Sequence, residues 1–405
     1  SRLMSALKNN GVNVKLLVKK KISNNPDIIG VEQNTIQRYL GLFKFVWERF
    51  IIFINNHFSK KNLFSVSIAN TGFNLVLRKE VREADIIHLH WINQGFLSLS
   101  DIKKLTTLGK PIIWTLHDLW PITAICHHPG TCNKYTSLCQ NCPQLQKPAP
   151  HDLSYRIWKK KNFFAQSYIT FVSVSQWLCD KARQSNISKT SLNLVIPNTI
   201  DTQIFYQQDR NKIRAKLSIS KDNFVILFGA AKLNDPIKGF DLLCHAISLF
   251  PIEQIKKLHL LMFGGIKNDE NFLNTIPCKY TYMGKLSDIS MIASLYSAAD
   301  VTVVSSHYET FGQTLIESMA CGTTVVSFDQ GGQTDIIDHL DNGYLAKYPS
   351  VEDLSKGILW AYEQKDNPSL QDKCIEKVKK NYTEDIIATH YNHLYQKLLS
   401  TKQKQ

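Results

Sequence analysis

The sequence predicts an α/β protein built from two tandem doubly wound domains, and three observations carry that prediction. The chain has 405 residues, too many for one ordinary core and enough for two domains of about 200 residues each. Short apolar runs rich in β-branched residues recur, with helix-length segments between them. Those runs are continuous rather than alternating, as in strands buried on both faces of a parallel sheet. Strands that alternate with helices wind such a sheet with helices on both sides.

The elements follow in order. Ser1–Asn10 reads as the body of a helix, stopped by Gly11. A doubly wound domain ordinarily opens with a strand and a Gly-rich turn. Neither is visible here, so the chain is a fragment or its first strand is supplied differently. The first set of strands is Val12–Val18, Asp85–Trp91, Pro111–His117, Ile169–Val174 and Leu192–Pro197. The second is Phe224–Gly229, Leu258–Gly264, Ala299–Ser305, Thr323–Phe328 and Gly343–Ala346. The boundary belongs near Pro197-Asn198-Thr199, giving domains over residues 1–197 and 198–384. Ligands of such sheets sit at the carboxyl ends of the strands. Two domains with facing carboxyl ends would enclose a cleft. The Lys-rich end, Ser400–Gln405, reads as a frayed tail.

Composition narrows the class. Hydrophobic content of 43% and charged content of 20% exclude a disordered chain. The most apolar stretch, Tyr39–Phe58, is broken by Lys44, Glu48 and Arg49, so it does not span a bilayer. The opening Ser-Arg-Leu-Met lacks the apolar core of a signal peptide, which points to the cytoplasm. The net charge of +14 suits an anionic partner: nucleic acid, a membrane face or a phosphorylated ligand. No nucleic-acid module is recognisable, so nucleic acid is not expected.

The richest chemistry lies in Glu309-Thr310-Phe311-Gly312-Gln313-Thr314-Leu315-Ile316-Glu317. It falls in a loop after the Ala299–Ser305 strand and runs into a helix from about Gln313 to Ala320, stopped at Cys321-Gly322. A helix N-terminus after a strand end offers free N–H groups and a positive dipole end to a pyrophosphate. Glu309 and Glu317 could grip the two ends of a nucleotide sugar, since carboxylates accept well from vicinal diols. A bare pair of glutamates is equally a solvated loop acid and a helix-surface acid. The context decides: Glu-x7-Glu with Phe-Gly after the first Glu, then Ser318-Met-Ala-Cys-Gly322, a Val-Val strand, and the loop Asp329-Gln-Gly-Gly-Gln-Thr-Asp335.

This pattern resembles the family 4 retaining glycosyltransferases, over nearly the whole chain and most specifically in its C-terminal half. The resemblance implies a GT-B architecture of two Rossmann-like domains, the second holding the donor and the first meeting the acceptor. It implies too that a C-terminal helix, residues 385–405, returns to the first domain. Glu309 would hold the hexose and Glu317 the ribose. Lys238, before the apolar Phe240-Asp-Leu-Leu243, would contact the donor diphosphate, where a cation stabilises the departing charge without a metal–carboxylate clamp. The family's Arg after the strand-end Gly is missing from Phe228-Gly-Ala-Ala-Lys232. Lys232 stands nearest, without the bidentate fork of an arginine.

Two strand ends in the first domain carry histidines, in Asp85-Ile-Ile-His88-Leu-His90-Trp91 and Trp114-Thr-Leu-His117-Asp118. By resemblance His117 faces the donor sugar and the reacting centre, with a positioning and electrostatic role. His90 would serve the acceptor side. Asp118 would orient His117 or accept from a substrate hydroxyl. A strand-end histidine is otherwise a hydrogen-bonded packing residue.

Four of the nine cysteines, Cys126, Cys132, Cys139 and Cys142, fall in a Cys-x5-Cys-x6-Cys-x2-Cys window beside His127 and His128. That spacing could enclose a structural zinc, with buried free thiols as the alternative. The chemistry itself calls for no cofactor. The run from His117 through Cys142-Pro143 resembles a branch acting in capsule, exopolysaccharide or colanic-acid-like assembly. The implied function is transfer of a hexose from a nucleotide diphosphate sugar to a glycan or polyprenyl-linked acceptor. An epimerase on the same scaffold is disfavoured by Lys238 and the Glu-x7-Glu segment, and an inert or truncated nucleotide-sugar-binding protein is the other alternative. Finally, Tyr39–Phe64 mixes aromatics with Lys44, Arg49, Lys60 and Lys61. Such a stretch could lie on an anionic membrane surface, although a helix packed on the first sheet explains its apolar residues equally well.

Overall fold

The apolar runs fold into two parallel sheets and a small third in a computed structural model that describes residues 2–267 and 269–402. Strands β1 (Leu16–Val18) and β2 (Ile28–Gly30) form the small sheet. Strands β3 (Ile87–Leu89), β4 (Ile112–Leu116), β5 (Ile169–Ser173) and β6 (Asn193–Val195) form a four-stranded sheet in that order, every pairing parallel. Strands β7 (Phe224–Lys232), β8 (Leu258–Gly265), β9 (Lys279–Tyr282), β10 (Val301–Val304), β11 (Thr324–Phe328) and β12 (Gly343–Ala346) form the other large sheet. Its order is β12-β11-β10-β7-β8-β9, again parallel throughout. By backbone contacts, residues 3–197 with 388 onward make one unit, and Arg2 with 198–387 the other.

In the first unit every residue of β4 and β5 is buried, as a strand covered on both faces requires. Trp114 on β4 packs its ring against Phe164, Trp120 and Phe171, with centroids 5.4 to 6.3 Å apart. The end of helix Glu384–Lys402 belongs here: Tyr391 hydroxyl bonds Thr115 Oγ1 at 2.9 Å, and Tyr395 hydroxyl bonds His88 Nδ1 at 2.9 Å. Residues 403–405 of the expected C-terminal helix and tail lie outside the described residues.

In the second unit, alternate residues of the central strands point into one core: Phe224, Ile226 and Phe228 of β7, Leu258, Leu260 and Met262 of β8, Val301 and Val303 of β10. Helices Phe240–Ser248 and Val351–Glu363 cover that face with Leu243, Ile247, Leu354 and Ile358. The intervening Val225, Leu227 and Leu261 are fully buried on the opposite face.

Three expectations are corrected. Val12–Val18 does not join the first large sheet: residues 16–18 pair with β2, among the described residues. Strands β2 and β9 are additional; both are short, and β9 is exposed at its start. The apolar stretch from Tyr39 forms helix Thr35–Asn55, whose large apolar side chains mostly face solvent instead of a sheet. Asn34 starts that helix with a capping box closed by Gln37.

Candidate active site

The predicted donor segment is assembled by backbone approach. Strand β10 ends at Val304, and helix Gln313–Ala320 begins after Gly312, whose φ of +110° carries no side-chain cap. The helix's first N–H groups are therefore left to a ligand or water. Gly331 and Gly332 fold against the Glu309 loop: Gly332 N donates to Glu309 O at 2.7 Å, and Glu309 bridges Gly331. A Cβ on Gly331 would stand 2.4 Å from Glu309 O, and one on Gly332 2.4 Å from Thr310 O. Only glycine permits that contact.

Lys238 reaches the same place. Gly239 turns the chain with φ +61°, close enough that a Cβ would stand 2.1 Å from Ser305 O. Ser305 Oγ donates to Gly239 O at 2.7 Å, and His307 N to Ile237 O at 2.9 Å. So held, Lys238 Nζ pairs with Glu309 Oε1 at 2.6 Å, and Ser306 Oγ donates to the same oxygen at 2.8 Å. The structure thus brings Lys238 and Glu309 together and adds Ser306, which sequence reasoning missed; two serines at a strand end are its signal.

Glu317 sits on the helix, where Arg2 Nη1 pairs with Oε1 at 2.9 Å and Tyr296 hydroxyl donates to Oε2 at 3.2 Å. Burial pushes its carboxyl above the usual range, with Arg2 pulling it back. Gln313 Nε2 donates to Thr199 O at 3.5 Å. Thr310 and Thr314 are half-buried, while the side chains of Phe311 and Leu315 lie in the core at 3% and 0% exposure. Those two leave only main chain for a ligand. Lys232 closes β7, half-buried, and its ammonium makes no hydrogen bond or ion pair to the described residues.

In the first unit the two strand ends do meet. His90 Nδ1 and His117 Nε2 are 3.0 Å apart, their rings stacked at 5.3 Å, and His88 stacks on His90 at 4.3 Å. Burial pushes His88 down to about 3 and His90 well below its ordinary value; His117 is lowered by burial against the opposing charge of Asp118. The rings are neutral at pH 7, so in the His90–His117 contact one ring donates and the other accepts. Asp118 has partners beyond those expected. Its Oδ1 accepts from Trp120 N at 2.9 Å, and its Oδ2 meets His127 Nδ1 at 2.6 Å and Trp91 Nε1 at 3.2 Å. Burial alone would raise this carboxyl, but the His127 bond and charge and the Trp120 amide hold it below the ordinary range. Its visible work is to orient His127, whose Nε2 lies 3.0 Å from Ser67 Oγ.

The four cysteines line a single cavity of about 20 Å³, with Tyr135 and Thr123 in its wall. All are free thiols, and burial pushes Cys126 and Cys139 up to about 12 and Cys142 up to about 11. With both ring nitrogens engaged, His127 is no ligand candidate. Among the described residues, no three His, Cys, Asp or Glu side chains stand as a formed metal group.

Two parallel-sheet units of this kind define the GT-B class. The fold is similar to sucrose-phosphate synthase from Thermosynechococcus elongatus, at TM-score 0.68 and 21% identity over 99% of this chain and 92% of that one. It is also similar to Anabaena Alr3699/HepE in complex with UDP-glucose, at TM-score 0.57 and 18% identity over 79% and 80% of the two chains. The chain belongs to Glycosyltransferase Family 4, whose model matches residues 2–204; that of Glycosyl transferases group 1 matches residues 209–381. Relatives include D-inositol 3-phosphate glycosyltransferase of Geodermatophilus obscurus, 31% identical over 41% of this chain and 39% of the relative. A probable sucrose-phosphate synthase of Thermosipho melanesiensis is 28% identical over 50% and 47%. The chain spans less than half the length of these curated relatives.

Proposed function

We propose that this chain transfers a hexose, with retention, from a nucleoside diphosphate sugar to a glycan or lipid-linked acceptor in bacterial surface polysaccharide synthesis. The observation that carries this reading is the Lys238–Glu309 contact at the carboxyl end of β10, cradled by Gly331 and Gly332. There the ammonium would meet the diphosphate and steady the charge on the departing nucleotide, with the uncapped helix start beside it. Glu309 would then turn to the hexose hydroxyls and Glu317 to the ribose. The neutral His90–His117 pair of the first unit would position substrate by hydrogen bonding, not by covalent attack. No metal is needed for these roles. We also propose a structural zinc for the cysteine cluster: its four thiols line one cavity, although among the described residues they do not already stand as a formed metal group.

A thermal-shift and turnover screen of nucleoside diphosphate sugars tests the donor site, starting with UDP-glucose, which the Anabaena protein binds. Wild type should be stabilised by one donor, and Glu309→Ala, Glu317→Ala and Lys238→Ala should lose that shift. Turnover should fall about 10²–10³-fold in Lys238→Ala. Stabilisation unchanged in the three variants would discard the site; binding without turnover would leave a nucleotide-sugar-binding protein.

A further inference from the structure

Helix Thr35–Asn55 is built inside out. Past Arg38, its charged residues turn inward: Glu48 is fully buried, its Oε1 accepting from Ile68 N and Ala69 N at 2.8 Å each. Arg49 pairs with Glu48 at 3.0 Å and donates to Leu63 O, Val66 O and Ser67 Oγ. Lys44 Nζ donates to Gly72 O. The outward face is apolar. Ile36, Tyr39, Phe43, Trp47, Phe50 and Ile54 recur every three or four residues, at 38% to 72% exposure. That spacing makes one stripe along five turns, about 27 Å at 1.5 Å per residue. The rings gather on the outside, Phe43 on Trp47 at 6.0 Å and Trp47 on Phe50 at 5.8 Å. Beyond the helix, Phe58 and Phe64 are also exposed, at 70% and 68%.

A stripe of this length is far more than the scattered apolar residues of an ordinary surface, and such patches mark docking sites. Its surroundings say what docks. From Gln33 to Arg78 the only acidic residue is Glu48, which is buried, while Arg38, Lys60 and Lys61 are exposed. An anionic surface therefore meets attraction and no exposed acid along this segment. Tyr, Trp and Phe flanked by Lys and Arg are the side chains favoured at the headgroup boundary of a bilayer. No helix among the described residues is long and apolar enough to cross a membrane, so the helix would lie in the plane.

We propose that helix Thr35–Asn55 is an in-plane anchor that seats its aromatic stripe in an anionic phospholipid bilayer. The basic rim draws the chain to the surface, and insertion of the rings holds it there. This goes beyond the donor reading and does not rest on it.

Flotation of the full chain with phosphatidylglycerol vesicles, against phosphatidylcholine vesicles, tests the anchor. Wild type should float with the anionic vesicles, and the triple variant Phe43→Ser/Trp47→Ser/Phe50→Ser should bind about tenfold less or weaker. Its side chains are exposed, so its melting temperature and donor binding should match wild type. Arg38→Glu/Lys60→Glu/Lys61→Glu should lose the preference for anionic vesicles, as should wild type in high salt. Wild type that fails to float, or a triple variant that floats equally well, overturns the proposal. So does a wild-type dimer in light scattering that the triple variant splits while neither binds vesicles, because the face would then belong to a second copy.

Discussion

Both ring nitrogens of His88 are engaged, Nδ1 by Tyr395 and Nε2 by Thr115 Oγ1 at 2.7 Å, and burial holds its pKa down to about 3. An unfolded imidazole takes a proton near pH 6.5, so between that pH and about 3 the unfolded chain binds the extra proton. Stability must then fall as pH drops through this window, by up to about 1.4 kcal/mol per pH unit for one such group. Above pH 6.5 the histidine contributes no pH dependence. Denaturant midpoints measured from pH 7.5 to 4.5 should show that slope, flattened in His88→Asn; an unchanged slope would assign it elsewhere. At this scale the sequence reveals residue types more readily than partners. Glu309 and Lys238 stand out from their motifs, but their ion pair joins positions 71 apart and depends on the Gly239 turn lying against Ser305. Asp118 reads as a partner of the adjacent His117, and an irregular segment also brings His127 back to it, which no local pattern announces.

Elements with strong local signals were legible. Helix Gln313–Ala320 and strand β12 lie where capping glycines and a short apolar run place them, because those signals act within a few residues. Strand β9 was missed although Tyr and Thr enrich it, because an exposed edge lacks the continuous apolar run that marks a central strand. Helix Thr35–Asn55 shows the limit of composition: apolar residues at helical spacing fit an inward face and an outward face equally well. Burial of Glu48 and Arg49 decides it. The segment between β4 and helix Leu153–Lys161 has only two short 3₁₀ turns for regular structure. Its interior is held by side chains, among them Lys161, fully buried, whose ammonium burial pushes well below its ordinary pKa and whose Nζ donates to Trp120 O at 2.5 Å and Thr123 O at 3.0 Å. Zinc thiolates in the adjoining cavity would give its ammonium form a counter-charge. Metal analysis of the purified chain should give one zinc, lost with a lower melting temperature in Cys139→Ser/Cys142→Ser. A metal-free chain with four thiols that titrate on unfolding would make the cluster plain core.

For the whole molecule, two parallel sheets were predictable from the alternation of runs, whereas the separate β1–β2 sheet was not, since three-residue strands carry little pattern. The division into units also interrupts one of them: residues 3–197 share a unit with residues from 388 on. Tyr391 and Tyr395, buried at 2% and 9%, bond Thr115 and His88 from that returning segment. Truncation after Ile387 should therefore destabilise the first unit selectively, seen as early proteolytic cleavage within residues 3–197 while 198–387 stays protected. Equal sensitivity of both units would contradict this. The arrangement has a consequence for synthesis on the ribosome. The first unit emerges first but waits for about 190 further residues before its last helix exists, about 10 to 40 s at ~5–20 residues per second. The second unit, complete at Ile387, can finish folding before it. Nascent first-unit chains thus spend that interval with the His88–Thr115 surface uncovered, a span in which chaperones would find them.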